Sequence, residues 1–283
     1  MKKMARHLLT FIIILCVAAA AYMGWKIIQT QLEYRRGEEG LEAIYQVMEE
    51  AVPIQIEEEN GEEEQEEPWE VRRQRYMALY EQNQDVCGWI RVKGTVIDYP
   101  VMYTPEDPEY YFHRDFEGNY SSYGMIFIDG DCRLDGTSPN LLIYGHHMRN
   151  GSMFAAIEDY DNTEFWHSHP QIQFDTLEEA GIYEVIAAFK LPAAQLDEDF
   201  KTLLLAEDQE DFERLMEQLK VWRLYDTGVE AEWGDRLITL TTCEYTQADG
   251  RFFVVARKMD SQGEMFRLFL LRFHVLILHH SEQ

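Results

Sequence analysis

Basic residues are scarce in this sequence: 25 Lys and Arg stand against 52 Asp and Glu in 283 residues, a formal net charge of −27. That shortage excludes a general nucleic-acid binder, which needs a cationic footprint for phosphates. Cysteine is scarce too, with four residues, too few to staple a domain of this length through disulfides. Cys16 lies in an apolar run, which leaves Cys87, Cys132 and Cys243 for the soluble part. Three is an odd number, so at least one thiol stays free or pairs outside the chain. Neither a compact CxxC nor an HExxH spacing is present, and there is no periodic repeat. Zinc is therefore a rival reading without a motif behind it, built from His146 or His147 with Cys243, Cys132 or the "HSH" at His167–His169. A second apolar run of normal spanning length is also missing. "MFRLFLLRFHVLIL", Met265–Leu278, is too short and too charged to be one, so it either packs on the domain or lies on a membrane surface.

The acid excess is uneven. Nine glutamates fall in "EEENGEEEQEEPWE", Glu57–Glu70, a self-repelling block that reads as a solvated linker. The N-terminus has the opposite character. "MKKMARH" carries Lys2, Lys3 and Arg6, and an uncharged stretch of 18 residues, Leu8–Trp25, follows. That is at the short end for crossing roughly 30 Å of hydrocarbon, but sufficient. Positive charge before the run places the N-terminus in the cytoplasm and the rest of the chain outside. A cleaved signal peptide competes with an uncleaved anchor, because Ala18–Ala21 resemble a cleavage region. Both readings deliver the domain to the cell exterior, and the anchor is the one carried forward.

The organisation expected is a cytoplasmic tip and anchor (1–28), a juxtamembrane helix with the acidic linker (29–68), a main domain (69–260) and an apolar tail (261–283). Trp69 to Asn83 reads as a helix with Tyr76, Leu79 and Tyr80 on its apolar stripe. The period then changes. "CGWIRV", "VIDYPVM", "YGMIFID", "NLLIYG", "QIQFDT", "GIYEVIAAF", "RLITLTTC" and "RFFVVARK" are short β-rich runs separated by Gly, Asn, Asp and Pro clusters. Eight short strands with little helix between them predict a mainly β fold, a barrel or sandwich rather than a parallel α/β sheet. One helix interrupts them, with Phe212, Leu215, Met216 and Leu219 at i, i+3, i+4 and i+7.

Three positions at strand ends carry chemistry. His146 and His147 follow Gly145 just beyond "NLLIY"; Cys243 closes "LITLTTC"; Arg251 opens "RFFVVARK" after a loop of seven residues. Each has an ordinary explanation, as packed thiol, solvated imidazole or surface ion pair. Together they suit acyl transfer from an amide. A thiolate is the nucleophile, and a nearby cation favours it over the thiol. Histidine can protonate the leaving amine. Arginine stays charged and can hold a carbonyl as its oxygen turns negative. Patterns alone leave catalysis, an inert barrel and zinc all open.

"TLTTC" at Thr239–Cys243 resembles the TLxTC signature of the sortases, and "NLLIYGHHM" their histidine segment. The resemblance is to class B, carried also by Asp85–Met102, by "YYFHRDFEGNYSSYGMIFID" at Tyr110–Asp129, and by "NGSMFAAIEDY" after the histidines. It covers about Trp69 to Met259. It implies a closed eight-stranded β-barrel with N-terminal helices and a helix before the cysteine strand. It also implies Cys243 as nucleophile, His146 as catalytic histidine and Arg251 as the steadying arginine, with Thr241 and His147 lining or flanking the substrate groove. The implied activity is cysteine transpeptidation without a cofactor. A C-terminal sorting motif of the NPxTx kind is cut after its threonine, and the acyl group passes to an amine of peptidoglycan or a pilin. Hydrolysis is the default when no amine arrives. Implied partners are surface proteins with sorting signals, the amine acceptor and the membrane of a Gram-positive-type cell. The alternative is a non-catalytic cell-surface scaffold or substrate-binding module.

Overall fold

The computed structural model of the chain describes residues 2–52, 67–244 and 250–259. A helix of 50 residues, α1 (Lys2–Ala51), opens it. Among the described residues this is the one helix long and apolar enough to cross a membrane, with a mean hydropathy of 2.1 over its most apolar stretch, none of it buried. Residues 28 and 29, the expected boundary between anchor and juxtamembrane segment, fall within unbroken helix. At 1.5 Å per residue, Ile44 lies about 28 Å along the axis from Trp25. Between Tyr34 and Met48 one side of α1 meets the domain. Ile44 is buried, the Tyr45 hydroxyl donates to the Asp98 carbonyl at 2.5 Å, and Tyr34 meets Tyr123 edge-on at 6.0 Å.

A second helix, α2 (Trp69–Gln82), lies where the stripe predicted it and buries Tyr76 and Leu79. Tyr76 stacks on Trp89 with ring centroids 5.7 Å apart. Arg72 donates from Nε to Asp175 Oδ2 at 2.8 Å, and the Tyr76 hydroxyl donates to the same oxygen at 3.1 Å. A fully buried carboxylate is stable only when matched in this way, so α2 is fixed to the barrel by charge as well as by packing.

Eight strands follow, one for each run expected: β1 (Val86–Arg91), β2 (Asp98–Met102), β3 (Ile126–Ile128), β4 (Asn140–Tyr144), β5 (Gln171–Thr176), β6 (Ile182–Leu191), β7 (Leu237–Glu244) and β8 (Gly250–Lys258). They close into a barrel in the order β1-β2-β3-β4-β7-β8-β6-β5. Closure leaves no sheet edge open, which removes a template for aggregation. Two neighbouring pairs are parallel, β2 with β3 and β4 with β7; the others run antiparallel. Ile90, Val101, Ile126, Ile143, Phe174, Leu240 and Val254 are almost wholly buried in one continuous core. Each such side chain stabilises the fold by about 1.5–3 kcal/mol relative to exposure.

Three helices lie between strands: α3 (Thr163–Ser168), α4 (Glu198–Leu205) and α5 (Gln209–Trp222). The expected stripe is on α5, where Phe212, Leu215 and Leu219 are buried and Asp208 caps the N-terminus by accepting from Asp211 N at 2.9 Å. A shorter helix than the one expected before the cysteine strand joins it. That helix, α4, is capped by Asp197 and stopped by Ala206 in the left-handed region. Most of the acidic linker and the whole tail Met265–Leu278 lie outside the described residues.

Candidate active site

The parallel pairing of β4 and β7 builds the site. Tyr144 is level with Thr241, and the next amide, Gly145 N–H, donates to the Thr241 carbonyl at 3.2 Å. Both strands therefore end at the same rim of the barrel. His146 is the first residue past Gly145, and Cys243 stands two beyond Thr241. The last strand, β8, begins at this rim, antiparallel to β7, with Cys243 opposite Arg251 and Glu244 opposite Gly250. Positions opposed on such a ladder are neighbours across the strands. Cys243 is placed by this backbone register; its side chain lies outside the described part of the structure.

Gly145 has a packing reason. A Cβ there would stand 2.5 Å from Ile126 Cδ1 and 2.6 Å from the Phe154 ring, so any larger residue would push the histidine segment off the rim. Beyond it, His146 Nε2 lies 2.6 Å from the Phe112 carbonyl oxygen. Its ring centroid is 4.6 Å from that of Phe112 and 5.7 Å from that of His113, which it faces at 14°. Burial pushes the imidazole pKa down; the Phe112 carbonyl works against this, and the like charges of His113 and Arg251 add to it. Arg251 is half-buried and donates from Nη1 to the Gly250 carbonyl at 3.1 Å. Imidazole and guanidinium are thus close enough to influence one another.

The other expected site residues are placed differently. His147 puts Nδ1 3.1 Å from Glu158 Oε2, and the other oxygen of Glu158 is 3.9 Å from Lys190 Nζ. Thr241 is 4% exposed, and its hydroxyl has no hydrogen-bond partner among the described residues; the Thr242 hydroxyl is in the same state. A buried hydroxyl without a partner costs about 1–3 kcal/mol, so two of them next to Cys243 are unusual.

Cys87 and Cys132 are structural. The Cys87 thiol donates to the Val101 carbonyl at 3.2 Å, and Cys132 Sγ accepts from Leu142 N at 3.3 Å. Burial pushes the Cys132 thiol up to about 12 and the Cys87 thiol higher still, which keeps both from acting as thiolates. His169 places Nδ1 3.0 Å from the Phe165 carbonyl, and His167 packs on Trp166. Among the described residues no three His, Cys, Asp or Glu side chains converge as a metal-ligand set.

Sequence reasoning passed over His113. It belongs to a 3₁₀ turn, Tyr110–His113, with no periodicity of its own, and its only signal was its place inside the resembling stretch. A rim with a thiol position, an imidazole and a guanidinium can perform nucleophilic attack, proton exchange and oxyanion stabilisation in one place.

Comparison with known proteins finds similar chains over most of this length. The sortase domain family matches residues 90–259. Sortase B of Staphylococcus aureus is 28% identical over 256 residues, covering 89% of this chain and 97% of that protein. The crystal structure of sortase B from B. anthracis in complex with AAEK1 superposes with a TM-score of 0.64 at 27% identity, covering 81% of this chain and 99% of that one. The Staphylococcus aureus sortase B–substrate complex gives 0.63 at 26% identity, covering 83% and 99%.

Proposed function

The chain belongs to the sortase family of cysteine transpeptidases, class B, and from that membership we propose that it cuts a C-terminal sorting motif of the NPxTx kind and joins the upstream protein to an amine. The acceptor is an amine of peptidoglycan or a pilin. The observation that carries the reading is the shared rim: β4 and β7 end together, β8 begins there, and Arg251 stands opposite Cys243. The solved sortase B–substrate complex of the Staphylococcus aureus relative supports a sortase-type substrate for this chain.

In this reading the Cys243 thiolate attacks the carbonyl carbon of the motif's threonine. A C–S bond forms and the carbonyl oxygen becomes an oxyanion, which Arg251 holds. The C–N bond then breaks, and the departing amine takes a proton from His146. The acceptor amine attacks the thioester, gives its proton back to His146, and the C–S bond breaks to regenerate the thiolate. Atoms and protons balance without a cofactor. With Cys87 and Cys132 buried and Cys16 in the apolar start of α1, Cys243 is the remaining candidate for the nucleophile. Thr241 and His147 flank the groove, Thr241 through a hydroxyl with no partner among the described residues and His147 by bracing the segment against Glu158.

The apolar start of α1 acts as a single-pass anchor, with the N-terminus cytoplasmic and the domain (69–260) outside. Docking of Ile44 and Tyr45 on the barrel then sets the height of the active site above the bilayer. The experiment is to mix the full-length protein in detergent with an NPxTx peptide, with and without a glycine-based amine acceptor. The expected result is a ligated product in the presence of the amine and hydrolysis in its absence. Recovery of mature protein beginning near Tyr22 from cells would remove the anchor part; no cleavage of any Pro/Thr motif would remove the substrate part.

A further inference from the structure

We propose that the Tyr110–His113 turn is a positioning element for the base: the Phe112 carbonyl holds the His146 proton on Nε2, Nδ1 is the nitrogen that exchanges protons during turnover, and His113, stacked on the ring, fixes its orientation. This rests on His146 being the acid–base residue of the proposed reaction.

A backbone carbonyl can only accept, so at 2.6 Å His146 Nε2 must be the donor. Removing the proton from Nε2 would leave two lone pairs facing each other at that distance. The neutral ring is therefore the Nε2–H tautomer, and the lone pair able to take a proton is on Nδ1. The turn that supplies the carbonyl is itself held. Met125 N donates to the Tyr111 carbonyl at 3.0 Å, and Ser121 N donates to the His113 carbonyl at 3.0 Å.

Gly124 shows how tightly turn and imidazole are matched. Its φ is +58°, and a Cβ would meet the Phe112 oxygen at 2.6 Å, the Tyr111 oxygen at 2.7 Å and His146 Cδ2 at 3.1 Å. A side chain at 124 would thus be a wedge between the base and the carbonyl that orients it. Among the described residues, the charged groups that act on His146 are His113 from the turn and Arg251 from β8, which is opposite Cys243 in backbone register. Two influences of opposite sign come from one turn. The Phe112 carbonyl favours the charged imidazolium, and the like charge of His113 disfavours it.

The test uses the full-length, detergent-solubilised protein labelled with ¹⁵N-histidine, with the His146 signals assigned through His146→Gln. Above its titration midpoint, His146 should show a protonated Nε2 and an unprotonated Nδ1. His113→Gln removes a like charge, so the His146 midpoint, and the matching limb of the single-turnover acylation profile, should move to higher pH by about half a unit or more. Gly124→Ala displaces the carbonyl, so the same midpoint should move to lower pH. A role in folding alone would not give shifts of opposite sign. An Nδ1–H tautomer in the parent protein would overturn the proposal, as would two variants that shift together or not at all. Acylation that survives in His146→Gln would instead sink the assignment of the base, whatever the tautomer.

Discussion

Where β8 ends, Arg257 lies 3.9 Å from Glu184 and 3.7 Å from Asp235, and Glu179 is shared by Arg236 and Lys258. Where β8 begins, about 20 Å away by strand rise, Arg251 donates to a backbone carbonyl, beside an imidazole whose protonation it disfavours. The first rim matches cation to carboxylate, and its pairing holds the Glu179 carboxyl below its usual range even though burial pulls the other way. At the second rim three groups able to bear positive charge gather: His113, His146 and Arg251. The same residue type on the same strand thus meets two different surroundings, and the proposed roles of Arg251 and Arg257 differ accordingly.

The comparison breaks most sharply at the thiols. Cys243→Ala should abolish cleavage and the trapped acyl-enzyme, while Cys87→Ala and Cys132→Ala keep both and lose about 1 kcal/mol of stability from the lost packing. Equal losses at all three cysteines without unfolding would mean the rims do not differ as argued. Next come the adjacent histidines. His146→Ala should lower single-turnover acylation by roughly 10²–10⁴ with peptide binding largely kept. His147→Ala removes a contact to Glu158 and should cost less than about tenfold in rate. Then come the two arginines. Arg251→Lys keeps the charge but loses the planar fork, with an expected loss on the order of 10²–10³ in acylation rate. Arg257→Lys should stay within about twofold and change stability by at most about 1 kcal/mol. If Arg251→Lys acylates at the parental rate while Arg257→Lys does not, the rims are reversed. The smallest effect is expected at α1: Tyr45→Phe should lower stability by about 1 kcal/mol through the lost bond to Asp98, with the rate unchanged.

All eight strands were legible because half-buried and fully buried strands leave local marks: β-branched runs bounded by turn residues. The helix of Phe212, Leu215 and Leu219 was legible for the same reason, its period being local. Strand order was not. The parallel pairings of β2 with β3 and of β4 with β7 join segments far apart in sequence, and no local pattern encodes them. Without the β4–β7 pairing, His146 and Cys243 are only two strand ends; the resemblance, rather than the pattern, brought them together. His113 was missed because a 3₁₀ turn has no period to read and an exposed histidine is commonplace. The docking of α1 was also missed, although Leu41, Ile44, Tyr45 and Met48 stand at helical spacing and could have signalled a buried face. The charged residues around them made that stretch look like a plain spacer.

The central claim is that Cys243, on the rim shared by β4, β7 and β8, is where the acyl group is carried. Acid quenching of the full-length protein with a sorting peptide, followed by proteolysis and mass spectrometry, locates that group directly. A thioester of the upstream peptide is expected on the fragment bearing Cys243, lost on addition of an amine acceptor or hydroxylamine. An adduct on Cys87 or Cys132, or steady peptide cleavage with no cysteine adduct at any time point, would contradict it.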